Sequence, residues 1–457
     1  MEHFLQVATE GRTVGQLSFA SRDDRYRFRY EDAWRQGDGA FALSPHIPLS
    51  AQESEPGVMH RFLANLLPEG RALDVAAVVY QISKDNTFGL VRMLGKEPVG
   101  ALSFRPAQGG KSSKSDARDD EDEDEPERRL VTDEELGERI RDRDTVPFPV
   151  WDKKVRMSVA GYQDKLQVLL EGERISLVNG TTLSSTHILK PDSRNANMPH
   201  MVANEYFCMT LAARIGLPVA RVMLRRLPEP ILLVERFDRE VDIDPADGVT
   251  ARTVRRLHVI DGCQALDLPV SFKYERNFGH SRDVRNIREG ASFERLFSLE
   301  HHFEAPAQAR QSMLRWALFQ LFIGNSDAHG KNLSFFVRPA GLSPAPFYDL
   351  VSVNAYGDSV EQEMALAYGD AFRLEDINPL ELADFANRIR VPRPVVAREL
   401  VRMARAITAV VPGLAQSETY EGDERDLLQH IATFIARQAD RLVKIAQDVP
   451  KVDAALL

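Results

Sequence analysis

The stretch Trp316-Ala-Leu-Phe-Gln-Leu-Phe-Ile-Gly324-Asn-Ser-Asp327-Ala-His329-Gly330-Lys331-Asn332 decides how this chain is read. Its first half is an apolar helix, and Gly324 is the residue that stops it. Its second half is polar and holds Asp327, with Asn332 five positions on. A second carboxylate follows in Phe347-Tyr-Asp349. This is the residue set of a phosphoryl-transfer site: one carboxylate orients the acceptor hydroxyl, while the Asn amide oxygen and the later carboxylate hold a magnesium ion that bridges ATP phosphates. Each part is needed because the transferred group carries dispersed negative charge. Alone the triplet is a weak signal, since Asp and Asn are common in turns. Its position, where a core helix emerges, strengthens it.

Composition bounds the rest. At 457 residues the chain is too long for one core and implies two or three domains. An apolar fraction of 43% and a charged fraction of 28% are those of a globular protein. No apolar run approaches the roughly eighteen residues of a membrane span. The start, Met1-Glu-His-Phe-Leu-Gln, lacks the features of a secretory signal. Cys208 and Cys263 have no metal-ligand spacing, so reduced thiols in a cytoplasmic protein without a membrane role are expected. A net charge of −10 disfavours nucleic-acid binding by the whole surface. It does not exclude a DNA-binding partner.

Residues 1–106 read as a compact subdomain of short strands and helices. Phe4 to Ala8, Gly15 to Phe19 and Tyr26 to Tyr30 alternate as half-buried strands do, and Met59 to Asn65 and Leu73 to Ile82 read as helices. Residues 107–130 read as a disordered linker, because the block Asp119-Asp-Glu-Asp-Glu-Asp-Glu125 repels itself and buries nothing. Thr132-Asp-Glu-Glu135 is a capping-box pattern that opens a short helix. Residues 131–238 read as a β-rich small lobe. Its strands are Lys165 to Leu170, Arg174 to Val178, Thr186 to Lys190, Val219 to Leu224 and Ile231 to Phe237, with a helix from Met201 to Ile215 among them. From 239 to 457 helices are expected to dominate, and the last, Asp426 to Ala446, carries a packing stripe of Leu427, Ile431, Phe434, Leu442 and Ile445. The expected fold class is therefore α+β, with the bilobal layout of a protein kinase.

Neither a Walker pattern nor G-x-G-x-x-G is present. In the place of a phosphate loop stands Ser158-Val-Ala160-Gly161-Tyr162-Gln163-Asp164-Lys165. On its own it reads equally as a hairpin turn. Lys190 ends an apolar strand and has the position of the phosphate-binding lysine, though isolated lysines at strand ends are commonly solvated. Glu205, on the next helix, is a candidate partner for Lys190, with Asn204 and Glu205 facing water as the alternative. Glu235-Arg236-Phe237 has the place of a hinge whose backbone reads adenine.

Together with His187-Ile-Leu-Lys190, Asn204-Glu205, Val234-Glu-Arg-Phe-Asp238, Gln264-Ala-Leu, Lys273-Tyr-Glu275 and Pro346-Phe-Tyr-Asp349, these motifs resemble the HipA-type serine/threonine kinases, the toxins of bacterial toxin–antitoxin pairs. Val14-Gly-Gln-Leu, Phe62 to Glu69 and Val99 to Ser103 extend the resemblance into the amino-terminal subdomain. It spans nearly the whole chain apart from the acidic insert. The resemblance implies that Asp327 is the catalytic aspartate and that Asn332 and Asp349 ligate Mg²⁺. ATP would be bound by Ala160, Gly161, Tyr162, Gln163, Asp164 and Lys165, by Lys190, by Glu235, Arg236 and Phe237, and by His329, Gly330, Lys331, Asn332 and Asp349. Ser158 matches a serine that family members autophosphorylate, which expels the phosphate loop and inactivates the kinase. Tyr162 and Asp164 depart from the family pattern, where a small residue and Glu are usual. The implied partners are a small helix-turn-helix antitoxin of HipB type, through which DNA is contacted, and a protein substrate such as an aminoacyl-tRNA synthetase. Two other readings stand beside the active kinase: a catalytically silent co-repressor bound to its antitoxin, and a small-molecule phosphotransferase.

Overall fold

The computed structural model describes residues 2–106, 127–156, 163–179 and 182–457. They divide into two compact units, one of Met1–Pro191, Arg225–Ile260 and Phe336–Ala340, the other of Asp192–Leu224, Asp261–Phe335 and Gly341–Leu457. The fold is α+β, with sheets concentrated in the first unit and long helices in the second.

The first unit begins with β1 (Glu2–Thr9), β2 (Arg12–Ala20) and β3 (Arg25–Tyr30). Helices α1 (Pro56–Leu66), α2 (Gly70–Tyr80) and α3 (Thr87–Leu94) follow, then β4 (Ser103–Pro106). The strands form an antiparallel sheet in the order β3-β2-β1-β4. Alternation drives it: Leu5 and Val7, Leu17, and Tyr26, Phe28 and Tyr30 are buried. Met59, Phe62 and Leu63 of α1 are buried as well.

A second sheet contains β5 (Glu127–Val131), β6 (Leu166–Glu171), β7 (Arg174–Asn179), β8 (His187–Pro191), β9 (Val222–Arg226) and β10 (Pro230–Glu235), in the order β9-β10-β8-β6-β7-β5. Helix α4 (Asp133–Arg141) starts where the capping pattern places it: the Thr132 hydroxyl accepts the Glu135 N–H at 3.2 Å. Leu136 and Ile140 of α4 join Leu166, Val168, Leu189, Ile231 and Leu233 in one core. Because side chains alternate across a sheet, Lys190 and Leu232, which pair in register, lie on the opposite face.

Three expectations need correction. The linker read as running to residue 130 ends sooner, because Glu127–Val131 forms β5 and pairs antiparallel with β7. The strand read from Val219 begins only at Val222. Residues after 239 also do not turn helical at once, because β11 (Arg239–Ile243) and β12 (Ala251–Arg256) form an antiparallel ribbon. Its charged residues and exposed Val241 and Ile243 give no core-like apolar signal, so pairing between two local segments decides it.

The second unit is built from α5 (Met201–Arg214), α6 (Pro306–Ile323), α7 (Pro379–Arg388), α8 (Arg393–Ala415) and α9 (Glu424–Asp448). Helix α6 is buried along nearly its whole carboxy-terminal half, so it runs through the core. On α9 the buried face centres on Leu428, Ile431, Ile435, Ala439 and Leu442, with Leu427 and Ile445 at its margins. Cys208 and Cys263 are free and buried. No helix among the described residues is long and apolar enough to cross a membrane.

Candidate active site

From Trp316 to Phe335 every residue is buried except Asp327. A lone exposed carboxylate in such a stretch needs rigid support, and a chain of buried amides supplies it. Gln320 on α6 donates to the Trp316 carbonyl at 3.1 Å, Asn325 Nδ2 donates to Gln320 Oε1 at 3.0 Å, and the Asp327 N–H donates to Asn325 Oδ1 at 3.2 Å. Gly324 makes the turn between helix and loop, with φ at +63°. A Cβ there would lie 2.7 Å from both the Phe434 ring and Asn354 Cβ. The position therefore demands glycine for conformation and for space.

The loop then folds on itself. The His329 N–H donates to Asn332 Oδ1 at 3.2 Å, which fixes the Asn332 amide orientation. Gly330 donates its N–H to the Lys273 carbonyl at 2.9 Å, and a Cβ on it would lie 2.6 Å from Ala291 Cβ. Burial, followed by the ammonium groups of Lys273 and Lys331, holds the His329 imidazole well below its ordinary range, so the ring is neutral near pH 7. The Lys331 ammonium is buried and bonds Asp261 Oδ2 at 2.7 Å. Asp261 also caps the helical turn Gly262–Ala265 in a reciprocal box with Gln264.

Asp349 is brought to this loop by its neighbours. The Tyr348 hydroxyl reaches the Lys331 carbonyl at 2.5 Å and the Ser334 hydroxyl at 2.7 Å. Asn325 Nδ2 approaches the Asp349 carbonyl at 3.4 Å. The carboxylate is close enough to act electrostatically on His329. Asp349 itself has φ at +53°, a strained conformation for a residue with a side chain and one that concentrates at functional sites. Beyond it, Ser352 donates its N–H to Asn204 Oδ1 at 2.9 Å, and Asn204 Nδ2 returns a bond to the Ser352 carbonyl at 3.1 Å. Asn204 and Glu205 are both fully buried, so the water-facing alternative does not hold. Asn204 instead anchors the segment that carries Asp349. Thus Asp327, His329, Lys331, Asn332 and Asp349 come together in the second unit.

Within the first unit lie the expected nucleotide residues. Lys190 is buried at 3% exposure on β8, and Lys165 at 4% immediately before β6. Leu189 pairs with Leu166, so the register places Lys165 beside Lys190 on the sheet face away from the core. Gln163 and Asp164 lead into that strand, with Asp164 Oδ2 3.8 Å from Arg143 Nε. Ser158, Ala160, Gly161 and Tyr162 lie outside the described residues. At the end of β10 the Arg236 N–H donates to the Thr186 carbonyl at 2.8 Å. The Phe237 ring meets Phe336 edge-on at 6.0 Å.

The Arg236 side chain belongs to a buried charge cluster that motif reading missed. It forks onto Asp238 at 3.0 and 2.9 Å and reaches the Ser185 hydroxyl at 3.0 Å. Arg239 bonds Asp238 Oδ2 at 2.7 Å and Glu97 Oε1 at 3.3 Å, and the Gly100 N–H donates to Asp238 Oδ2 at 2.8 Å. Burial acts to raise the Asp238 carboxyl, but Arg236 and Arg239 outweigh it and hold the group below the usual carboxylate range. Alternating charges in Glu235-Arg-Phe-Asp-Arg239 were the available signal. Their partners Glu97 and Gly100 lie far off in sequence.

Comparison with known proteins fits this geometry. Residues 157–411 match the HipA-like C-terminal domain and residues 5–105 the HipA N-terminal domain. The chain belongs to the HipA family of serine/threonine-protein kinases. It is 40% identical over 442 residues to the serine/threonine-protein kinase toxin HipA of Shewanella oneidensis, covering 96% of each chain. Y4mE of Sinorhizobium fredii is 33% identical over 449 residues, covering 97% of this chain and 99% of its own. A solved Shewanella oneidensis HipA, in a complex with HipB and operator DNA, superposes with a TM-score of 0.85 at 38% identity. The match covers 98% of this chain and all of that one. The kinase-like α+β fold expected from the sequence is thereby borne out.

Proposed function

We propose that this HipA-family kinase uses ATP and Mg²⁺ to phosphorylate a serine or threonine hydroxyl of another protein, with Asp327 as the catalytic carboxylate. The observation that carries this is the exposure of Asp327 alone within a buried stretch, on a loop that also holds Asn332 and is bonded to the segment of Asp349. Magnesium prefers hard oxygen donors and tolerates few protein ligands when phosphates supply the rest. Among the described residues no cluster of three His, Cys, Asp or Glu could hold a metal alone. One carboxylate and one oriented amide oxygen are the donor set that a metal–nucleotide complex needs, so Asp349 and Asn332 fit it. When bound, the metal would neutralise phosphate charge.

The protein groups do the rest. Asp327 accepts the hydrogen bond of the acceptor hydroxyl, whose oxygen forms a bond to the γ-phosphorus as the bridging bond to ADP breaks. The hydroxyl proton passes to the Asp327 carboxylate. Lys165 and Lys190, adjacent on one sheet face, suit the charge of a polyphosphate. Lys331 keeps the loop in place through Asp261, so we assign it to support of the site and not to direct phosphate contact. Glu235 to Phe237 would present the backbone to adenine.

Gln163 to Lys165 and the preceding Ala160 to Tyr162 would form the phosphate loop. Ser158 would be the autophosphorylation site, since a dianion placed there repels ATP phosphates. Family membership supports a toxin role and a HipB-like antitoxin partner through which DNA is contacted. That the antitoxin is a helix-turn-helix protein and that the substrate is a translation component such as an aminoacyl-tRNA synthetase are what the sequence resemblance implies. Labelled ATP and magnesium, incubated with the purified protein and a cell lysate, test the core claim. Transfer to protein should occur with the wild type and disappear with Asp327→Asn, while calorimetric ATP binding persists. Equal labelling by both proteins would remove Asp327 from catalysis. In the same assay, Ser158→Ala should abolish a species about 80 Da heavier on mass spectrometry.

A further inference from the structure

The hydroxyl of Tyr274 lies 2.6 Å from Asp327 Oδ1. This is a short contact, with the phenol as donor and the carboxylate as acceptor. Tyr274 is only partly buried, so its hydroxyl had water as an alternative partner. What takes the ring to Asp327 is its backbone, which is fixed on both sides.

On one side the Lys273 carbonyl accepts the Gly330 N–H at 2.9 Å, tying the segment to the loop of Asp327 itself. On the other, the Glu275 N–H donates to the Ala365 carbonyl at 3.0 Å. The buried Glu275 carboxylate accepts from Arg288 Nε at 2.6 Å and from the Ala367 N–H at 2.8 Å. Between them, Gly290 passes so close that a Cβ on it would lie 1.8 Å from the Tyr274 carbonyl oxygen. The ring also meets His329 edge-on, with centroids 5.1 Å apart at 88°. Lys273, Tyr274 and Glu275 therefore form a rigid rack from which the Tyr274 hydroxyl is aimed at the candidate catalytic carboxylate.

We propose that Tyr274 is a positioning residue for phosphoryl transfer: its hydroxyl fixes the rotamer of Asp327 so that the carboxylate meets the acceptor hydroxyl in one orientation. This deepens the kinase reading above and rests on Asp327 being the catalytic carboxylate. Removing the phenol takes away this bond's share in orienting the exposed Asp327 carboxylate, so that turnover waits more often for the productive rotamer. Nucleotide contacts should be unaffected by loss of the hydroxyl alone, because the phenol bonds Asp327 while the ring contact with His329 is kept. The hydroxyl keeps its proton throughout, and the proton of the acceptor still goes to Asp327.

Tyr274→Phe removes the hydroxyl while keeping the ring contacts with His329. Transfer to protein by full-length enzyme, measured over a range of ATP concentrations, should show kcat lowered about ten- to a hundredfold, the usual consequence of losing a hydrogen bond to a charged group. KM for ATP, calorimetric ATP affinity and thermal midpoint should stay at wild-type values. Unchanged kcat overturns the proposal. So does a raised kcat, which would make Tyr274 a plug over Asp327, and so does a fall in kcat accompanied by a lower thermal midpoint and weaker ATP binding, which would make the contact merely structural. Asp327→Asn, assayed in parallel, separates the two levels. If it abolishes transfer while Tyr274→Phe is silent, only the positioning role falls; if it leaves transfer intact, the kinase assignment of Asp327 falls first.

Discussion

Tyr348 donates its hydroxyl to the carbonyl of Lys331 at 2.5 Å, and this bond ties the segment of Asp349 to the loop of Asn332. The two candidate metal ligands come from places seventeen positions apart, so their separation depends on such supports and not on chain continuity. Partners that orient ligands typically contribute tenfold to a hundredfold in metal affinity or activity. Tyr348→Phe should therefore raise the Mg²⁺ concentration giving half-maximal transfer by about that factor, with ATP-independent folding unchanged. A magnesium titration of the kinase rate reads this directly; an unmoved midpoint would show that Asp349 and Asn332 are held by other means.

Lys190→Ala tests the first unit. A buried ammonium beside a second one at Lys165 suits an anionic ligand, and its loss should weaken ATP binding by about one to two orders of magnitude, since a charge-assisted bond contributes about 1.5–3 kcal/mol. Calorimetry with wild-type affinity would take Lys190 out of the nucleotide site.

Gly324→Ala should destabilise the fold by about 2–4 kcal/mol, combining the cost of a left-handed alanine with overpacking against Phe434. Denaturant melts measure the loss. A variant as stable as wild type would mean that α9 gives way at Phe434 at little cost.

Asp238→Asn leaves the buried guanidinium groups of Arg236 and Arg239 without their shared carboxylate. Breaking a buried pair in this way costs about 3–5 kcal/mol. Urea unfolding should show it, and a change below about 1 kcal/mol would mean that Glu97 alone compensates both arginines.

Acid should weaken the protein before carboxylates titrate. Burial, partly offset by the bond to the Leu43 carbonyl, pushes the His258 imidazole from 6.5 down to about 4. The folded state then holds fewer protons than the unfolded chain below pH 6.5, so stability is complete above that value and declines as pH falls toward 4. From His258 alone, unfolding near pH 5.5 should cost roughly 1–1.5 kcal/mol less than at neutral pH. Melts at the two values, with proton uptake followed on unfolding, check both magnitude and sign.

The sequence by itself determined the elements and the chemical types. Periodicity and caps located α6 and its stop at Gly324, the start of α4 at Thr132, and the strands that carry Lys190 and Glu235, because these depend on local propensity and on which face is apolar. The run from Asp327 to Asn332 was legible for a similar reason, its spacing being set within one loop. What only the tertiary structure decided is which distant groups become neighbours. Asn204 supports Ser352, Asp261 takes the charge of Lys331, Glu97 closes the cluster around Asp238, and Tyr274 reaches Asp327. Each pair is joined by burial or by close packing of backbones, forces that act on separation in space and leave no periodic trace along the chain.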